Sequence, residues 1–174
     1  MTLSQLARRH CAFQVAVLAV GVVVVGRTHA ASTDTGISTS AEAIHQEIVV
    51  AASPARIYAA LTDAAQFTKL TALGGMTGVR PAEIGRVEGS PFSLFGGVIV
   101  GRHIELVRDR RIVQAWRETI WDPGVYSVVK FDLRAQAGGT LIVFDHTGFP
   151  KGAAAHLAVG WGEHYWEPLR KFLK

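Results

Sequence analysis

Residues 153–173 read AAAHLAVGWGEHYWEPLRKFL, and this stretch decides the fold of the chain. Its large apolar residues recur at steps of four, four, four and three, which places them on one stripe of a helix facing a core. We therefore predict a long carboxy-terminal helix packed against the rest of the domain. The stripe consists of Leu157, Trp161, Tyr165, Leu169 and Phe172.

Two features interrupt this helical pattern. Pro168 has no N–H to donate to the carbonyl of His164, and its ring crowds that carbonyl, so we expect a bend there. Gly160 and Gly162 flank Trp161, and each lowers helix propensity by about 1 kcal/mol relative to alanine. Because packing must hold a helix that tolerates both glycines, we expect the backbone to approach another part of the molecule closely.

The first 30 residues have the layout of a secretory signal peptide. Arg8 and Arg9 form a basic start, and residues 11–26 are almost wholly apolar. Small residues then precede a cut before Ala31. The alternative is a retained membrane anchor, but the apolar run is shorter than the ~20 residues that a spanning helix needs. We predict cleavage after residue 30, an exported bacterial protein that is periplasmic or secreted, and no stable membrane span after processing.

Cleavage changes what charge and cysteine content imply. Residues 1–30 contain three arginines and no acidic residue, so their loss lowers the formal net charge from +4 to +1. A nearly neutral chain does not favour nucleic acid as a partner. The single cysteine, Cys11, leaves too, which excludes disulfides, a thiolate nucleophile and cysteine-ligated metals in the mature chain. Residues 31–43 are small and polar, which predicts a disordered linker.

Residues 44–174 are predicted to form one folded domain. Alternation in residues 44–52 predicts a strand. Ser53 and Pro54 then begin a helix over 54–62, and Asp63 caps a second helix over 64–73. The following segments are short, rich in Val, Ile, Phe and Trp, and separated by turn residues, which predicts an antiparallel meander. Its strands are expected at 86–92, 98–107, 111–120, 126–134 and 140–147.

This order of elements predicts an α+β fold. The apolar face of the sheet is the only surface large enough to receive the long terminal helix, so the sheet should curve around that helix.

Four motifs in this order carry a resemblance to a known family. They read FSLFGGVIVG at 92–101, RIVQAWR at 111–117, FDHTGFP at 144–150, and GW at 160–161 followed by YWEPL at 165–169. Together they resemble the domain shared with the carboxy-terminal part of the activator of Hsp90 ATPase, in the START-like (SRPBCC) superfamily. The resemblance implies a helix-grip fold, in which a curved antiparallel sheet wraps around the long helix and leaves a hydrophobic cavity. It also implies ligand binding or a chaperone-associated role, with no settled catalytic residues.

Aromatic side chains are numerous for a domain of this size. Taken one at a time, each is expected in an ordinary core, because aromatic rings bury well without binding anything. Taken with the implied cavity, they are candidates for its wall, since ligand pockets are mostly apolar with a few polar groups. The candidate cavity residues are Phe67, Phe92, Phe95, Trp116, Phe131, Phe144, Trp161 and Tyr165.

His146 and Arg102 are the candidate polar groups of that cavity. His146 shares the phase of Ile142 and Phe144, so it should point inward, where it could orient a ligand or move a proton. The alternative is a buried histidine satisfied by a backbone carbonyl. Arg102 shares the phase of apolar residues in its strand and is expected inward, where it could pair with Glu118. The alternative is an arginine at the edge of the strand whose guanidinium group reaches water.

The terminal helix also carries His156, Glu163 and His164, a set that suggests a metal. The two histidines are eight residues apart, about 12 Å along a helix, which is too far for one ion. We therefore predict a solvated helix face, no metal site and no cofactor.

Three functions remain open from the sequence. The favoured one is an exported module that binds a hydrophobic small molecule or lipid. The second is an enzyme of the cyclase or hydrolase type known in the wider superfamily, with His146 or Arg102 handling the proton or charge. The third is a chaperone-like interaction domain whose groove is filled by its own side chains. Because of the export signal, Hsp90 is not expected as the partner.

Overall fold

The computed structural model describes residues 42–174, so the predicted signal peptide and almost all of the predicted linker lie outside the described residues. Within that part of the chain, seven strands form one antiparallel sheet in the order β1-β7-β6-β5-β4-β3-β2. The strands are β1 (Ala43–Val50), β2 (Glu83–Ile84), β3 (Pro91–Leu94), β4 (Ile99–Val107), β5 (Arg111–Glu118), β6 (Ser127–Gln136) and β7 (Gly139–Thr147).

Two short helices, α1 (Pro54–Thr62) and α2 (Ala64–Leu73), follow β1. Their starts were predicted from the sequence and are confirmed. The Ser53 hydroxyl accepts a hydrogen bond from the backbone N–H of Arg56 at 3.4 Å, with Pro54 in the first turn. The Asp63 carboxylate accepts the backbone N–H groups of Ala65 and Gln66, both at 3.1 Å. Each cap satisfies donors that the first turn of a helix leaves unpaired.

The carboxy-terminal helix runs from Ala154 to Phe172 in three parts. These are α3 (Ala154–Trp161), a π-helical turn (Gly162–Trp166) and α4 (Glu167–Phe172). The expected irregularity at Pro168 therefore takes the form of a π-helical turn, in which the N–H of Glu167 reaches back to the carbonyl of Gly162. The wider turn accommodates a proline that cannot donate to His164. No helix among residues 42–174 combines the length and apolarity needed to cross a membrane.

The predicted stripe of the terminal helix packs on the sheet. Leu157, Trp161, Tyr165 and Leu169 are all buried, and Phe172 is half-buried. The Trp161 ring lies 4.4 Å from that of Phe144 on β7, measured between centroids. A curved antiparallel sheet that closes around one long aromatic helix is the helix-grip arrangement that the sequence predicted.

The meander differs from its prediction at two places. Residues 86–92 do not form one strand, because Gly89 has a φ of 78° and the chain turns between β2 and β3. In β4 the inward phase was wrong by one residue. Ile99 and His103 are buried, whereas Arg102 is exposed and donates to the carbonyl of Gly89 at 3.1 Å. The expected inward Arg102 and its pair with Glu118 are therefore both wrong.

The physical reason for the shifted phase lies just before β4. Phe95–Gly97 forms a 3₁₀ turn with positive φ angles at Phe95, Gly96 and Gly97, so β4 starts at Ile99 and not at Val98. The turn leaves Ile99 buried and Val98 49% exposed, and alternation from Ile99 puts His103 in the core and Arg102 on the opposite face. A register shift between His103 and Glu105 then interrupts the alternation again.

Candidate ligand-binding site

A pocket lies between the carboxy-terminal helix and the end of the sheet formed by β4 and β5. We call it the helix–sheet pocket. It encloses about 270 Å³, close to the lower end of the range for small-molecule sites. Its lining is largely apolar and comes from α3, the π-helical turn, the 3₁₀ turn, β4, β5 and two loops. The lining residues are Met76, Phe95, Val98, Ile99, Trp116, Glu118, Ile120, His156, Leu157, Gly160, Trp161, His164 and Tyr165.

Aromatic rings from four elements meet on the inner side of this pocket. The ring centroids of Trp161 and Tyr165 lie 4.2 Å apart, and Trp116 contacts Trp161 at 5.6 Å. Phe95 meets Tyr165 edge to face at 5.3 Å. Phe95 adopts a φ of 52°, a conformation that costs a residue other than glycine some strain. The packing of its ring against Tyr165 and Phe67 holds this conformation and keeps Phe95 in the pocket wall.

Two buried polar atoms belong to this aromatic group. The indole nitrogen of Trp116 and the hydroxyl of Tyr165 have no hydrogen-bond partner among residues 42–174. Trp116 is 3% exposed and Tyr165 is 5% exposed. Burial raises the pKa of the Tyr165 hydroxyl, and the neighbouring Trp116 indole partly opposes that rise. The two polar atoms lie next to each other behind the aromatic rings, where both are closed off from solvent.

The outer edge of the pocket is a mixture of apolar and titratable side chains. Ile120 is 82% exposed and Val98 is 49% exposed, so the pocket opens to solvent beside them. The Glu118 carboxylate accepts the Trp121 indole N–H at 3.1 Å and lies 3.3 Å from Nε2 of His156. These contacts fix the carboxylate at the mouth of the pocket, where it faces an exposed imidazole.

His146 lies behind the pocket in a closed hydrogen-bond chain. The indole of Trp161 donates to Nδ1 of His146 at 3.0 Å, so Nδ1 accepts and Nε2 carries the proton. Nε2 then donates to the Ser127 hydroxyl at 2.7 Å, and this hydroxyl donates to the Trp116 carbonyl at 2.8 Å. Burial lowers the pKa of His146 to about 4. His146 points inward as predicted, but both ring nitrogens are engaged with protein groups and it does not line the pocket.

The residues predicted to form the cavity divide into two groups. Phe95, Trp116, Trp161 and Tyr165 line the helix–sheet pocket. The remaining candidates are fully buried in the core around it, apart from Arg102, which is on the surface. The core group consists of Phe67, Phe92, Phe131, Phe144 and His146.

Several pocket residues escaped the sequence prediction. His156 and His164 were expected on a solvated helix face, yet both line the pocket mouth while remaining exposed. Gly160 also lines it, and a Cβ there would meet only Cδ2 of His164, at 4.0 Å. The expected close backbone approach is absent at both glycines, and at Gly162 a Cβ would contact nothing within 4 Å among the described residues. The sequence did contain a signal for these residues: positions 156, 160 and 164 are four apart and therefore lie along one face of the helix.

A broader groove of about 800 Å³ lies between α1 and the loop that follows β4. Its lining includes the charged side chains of Arg86, Glu88, Arg108 and Asp109. Charged and mostly exposed walls are typical of a solvated surface, whereas small-molecule sites are mainly apolar. We therefore assign the candidate site to the smaller helix–sheet pocket.

The fold and the pocket define the class of protein: a helix-grip domain with a small apolar cavity beside its terminal helix. Residues 51–174 match the family described as "Activator of Hsp90 ATPase homolog 1-like protein". The chain belongs to this family, which confirms the resemblance carried by its motifs.

Individual relatives agree with this assignment. The chain is 28% identical over 94 residues to the mouse "Activator of 90 kDa heat shock protein ATPase homolog 2", covering 54% of this chain and 28% of that protein. It is 24% identical over 91 residues to the human homolog 1, covering 52% of this chain and 27% of the human protein. The chain therefore spans less than a third of the length of these curated relatives.

Solved structures show the same fold. An HSP90 activator from Plasmodium falciparum superposes with a TM-score of 0.65 at 25% identity, covering 77% of this chain and 96% of the other. CalU16 from Micromonospora echinospora superposes with a TM-score of 0.62 at 20% identity, covering 77% of each chain. At such low identity the second likeness concerns the fold alone.

Proposed function

We propose that this protein binds a hydrophobic small molecule or lipid in the helix–sheet pocket. The observation that carries the proposal is an apolar pocket of about 270 Å³ that opens to solvent and is lined by Phe95, Trp116, Trp161 and Tyr165. A helix-grip domain whose groove was filled by its own side chains would have no such space. Aromatic rings supply a large contact area at a low cost in side-chain entropy, which suits a site for a flat or branched apolar ligand.

Gly160 supplies the most direct test of this proposal. Because Gly160 lines the pocket and its Cβ direction is open, the side chain in Gly160→Leu should occupy ligand space. Gly162→Leu is the matched control, since a Cβ at Gly162 meets nothing within 4 Å and Gly162 does not line the pocket. Both changes replace a helical glycine, so their effects on helix propensity are similar.

The measurement is native mass spectrometry of the protein recovered from the cells that produce it. We expect a co-purifying small molecule on the wild type and on Gly162→Leu, and its loss from Gly160→Leu. Circular dichroism establishes that all three proteins are folded. Equal occupancy in Gly160→Leu and the wild type, or an empty wild type, would contradict binding in this pocket.

Export is the second part of the proposal. The basic start, the apolar run 11–26 and the small residues before Ala31 support cleavage and delivery to the periplasm or the medium. The relatives named as activators of the 90 kDa heat shock protein ATPase suggest a chaperone partner, but an exported chain would not meet a cytosolic chaperone. Amino-terminal sequencing of the protein from the envelope fraction should begin near Ala31, and a sequence beginning at Met1 would contradict cleavage.

A second candidate function, acid–base catalysis, is favoured by one observation. The Glu118 carboxylate and the His156 imidazole lie 3.3 Å apart at the pocket mouth, which is close to the spacing across which a proton is transferred. An enzyme of this type would hydrolyse or cyclise an apolar substrate held against Trp116. The test is turnover of 2-naphthyl acetate: activity lost in Glu118→Gln while 2-acetylnaphthalene binding persists would favour catalysis, and no turnover above background would exclude ester hydrolysis.

A further inference from the structure

Glu118 is an acidic side chain on the core-facing side of the sheet. In β5, Ile112, Gln114 and Trp116 are buried in one phase, and Glu118 continues that phase at the end of the strand. Its side chain is 13% exposed and lines the helix–sheet pocket, so it is partly withdrawn from water without being closed off from the pocket. Acidic side chains are withdrawn from water mainly where a partner compensates their charge.

The contacts of Glu118 leave its negative charge without a fixed counter-charge. Among residues 42–174, His156 provides the only basic nitrogen within 4 Å of the carboxylate, at 3.3 Å. The His156 side chain is 73% exposed, and an imidazole is positively charged only when it is protonated. The other contact comes from the Trp121 indole N–H at 3.1 Å, which is a neutral donor. Because a carboxylate has about four acceptor positions, Glu118 can still accept from a ligand.

The rest of the pocket adds no stronger positive charge. Among the described residues that line it, neither lysine nor arginine is present, and the basic side chains are the exposed His156 and His164. An anionic ligand would be repelled by Glu118 and would lose its hydration against apolar walls. A cationic group would gain Glu118 as its partner, and the faces of aromatic rings also attract a positive charge. The charge distribution therefore favours a positive group at the pocket mouth.

We propose that the helix–sheet pocket takes an amphiphilic cation, with an apolar body inside the pocket and a protonated amine at its mouth, held by the Glu118 carboxylate. This inference rests on the proposed function, because it names the ligand class of the same pocket. Hydrophobic primary and secondary amines belong to this class. Their ammonium group donates to the carboxylate in a charge-assisted hydrogen bond, which is stronger than one between neutral groups.

The test compares probes that share one ring system. 1-(2-Naphthyl)ethylamine carries an ammonium group at neutral pH, 2-acetylnaphthalene carries a neutral carbonyl at the same place, and 2-naphthoate is an anion. Titration calorimetry of the wild type at neutral pH should give the amine a dissociation constant roughly tenfold lower than that of the ketone. The anion should bind most weakly of the three.

Glu118→Gln removes the charge and keeps an oxygen that can accept from the Trp121 indole. We expect this variant to lose roughly tenfold in affinity for the amine. It should bind the ketone as the wild type does, which also shows that its pocket is intact. Glu163→Gln is the matched control, because Glu163 is exposed on the terminal helix and does not line the pocket. This control should leave both affinities unchanged.

The outcomes separate this inference from the proposed function. An amine that binds the wild type no more tightly than the ketone, or an amine affinity that Glu118→Gln leaves unchanged, would overturn the cation inference and leave hydrophobic binding intact. An equal loss in Glu163→Gln would assign the preference to general surface charge and would overturn the inference as well. Tightest binding of 2-naphthoate would have the same consequence. If neither the amine nor the ketone binds the wild type, the proposed function itself fails.

Discussion

The indole N–H of Trp161 donates to Nδ1 of His146 across a distance of 3.0 Å, and this bond joins the terminal helix to the last strand of the sheet. Both residues are buried, at 2% and 0% exposure. Because Nδ1 must accept this bond, the native state requires a neutral imidazole whose proton is on Nε2. The helix is thus attached to the sheet by an interaction that protonation of His146 would break.

The first prediction concerns stability against pH. The native state keeps His146 neutral down to about pH 4, whereas the unfolded chain takes up that proton near pH 6.5. Between these values the unfolded state binds more protons, so the free energy of unfolding should fall as the pH is lowered, by up to about 3 kcal/mol. Burial also lowers the pKa of His103, which adds to the fall. Urea titrations between pH 7 and pH 4.5 measure this fall in the free energy of unfolding.

The control for this prediction is His146→Gln, whose side chain does not titrate. We expect its free energy of unfolding to be lower at pH 7 and to depend less on pH than that of the wild type. A wild type as stable at pH 4.5 as at pH 7, or a variant with the full pH dependence, would contradict the role of His146.

The second prediction concerns the packing of Trp161. Its ring contacts those of Trp116, Phe131, Phe144 and Tyr165. Trp161→Ala should therefore destabilise the domain by roughly 3–5 kcal/mol, since it removes a large buried ring.

The control for Trp161→Ala is a residue on the outer face of the same helix. Val159 is 58% exposed, and Val159→Ala should cost less than about 0.5 kcal/mol. Denaturant unfolding measures both variants. A loss below about 1 kcal/mol for Trp161→Ala would show that the helix does not pack through this residue.

The third prediction tests the register of β4. His103 is 1% exposed and packs on Phe92, whereas Arg102 is on the surface. Arg102→Ala should change the free energy of unfolding by less than about 0.5 kcal/mol, and His103→Ala should cost more, about 2 kcal/mol, because it leaves a cavity. Thermal unfolding of both variants decides between the registers. A larger loss from Arg102→Ala would mean that the inward phase is the reverse of the one described.

Those parts of the fold that depend on local chemistry could be predicted from the sequence. The Ser53 and Asp63 caps act within three residues, and the aromatic stripe from Leu157 to Leu169 follows helical periodicity, so both patterns are visible in a single chain. The inward orientation of His146 followed from strand alternation with Ile142 and Phe144.

The pocket depended on three-dimensional relationships that no local pattern contains. Alternation failed for Arg102 because, after the left-handed turn at Phe95, Ile99 and not Val98 faces the core. The helical pattern predicted that the His156 side chain is exposed, and this is correct. The pattern did not indicate that His156 lies at the pocket mouth, beside Glu118 on β5. Which aromatic residues line the space and which fill the core depends on packing in three dimensions, and periodicity does not determine it.

The most direct test of ligand binding in this pocket is a ¹H–¹⁵N spectrum of the tryptophan side chains during titration with 2-acetylnaphthalene. The chain has four tryptophans, and their indole N–H groups report on four different sites. Three already donate to protein groups: Trp121 to Glu118, Trp161 to His146 and Trp166 to Gln46.

The fourth indole N–H, that of Trp116, has no partner among residues 42–174. We predict that its cross-peak moves furthest because the Trp116 ring lines the pocket, while that of Trp166, which is outside the pocket, stays in place. A titration in which no indole signal moves, or in which Trp166 moves and Trp116 does not, would contradict binding in the helix–sheet pocket.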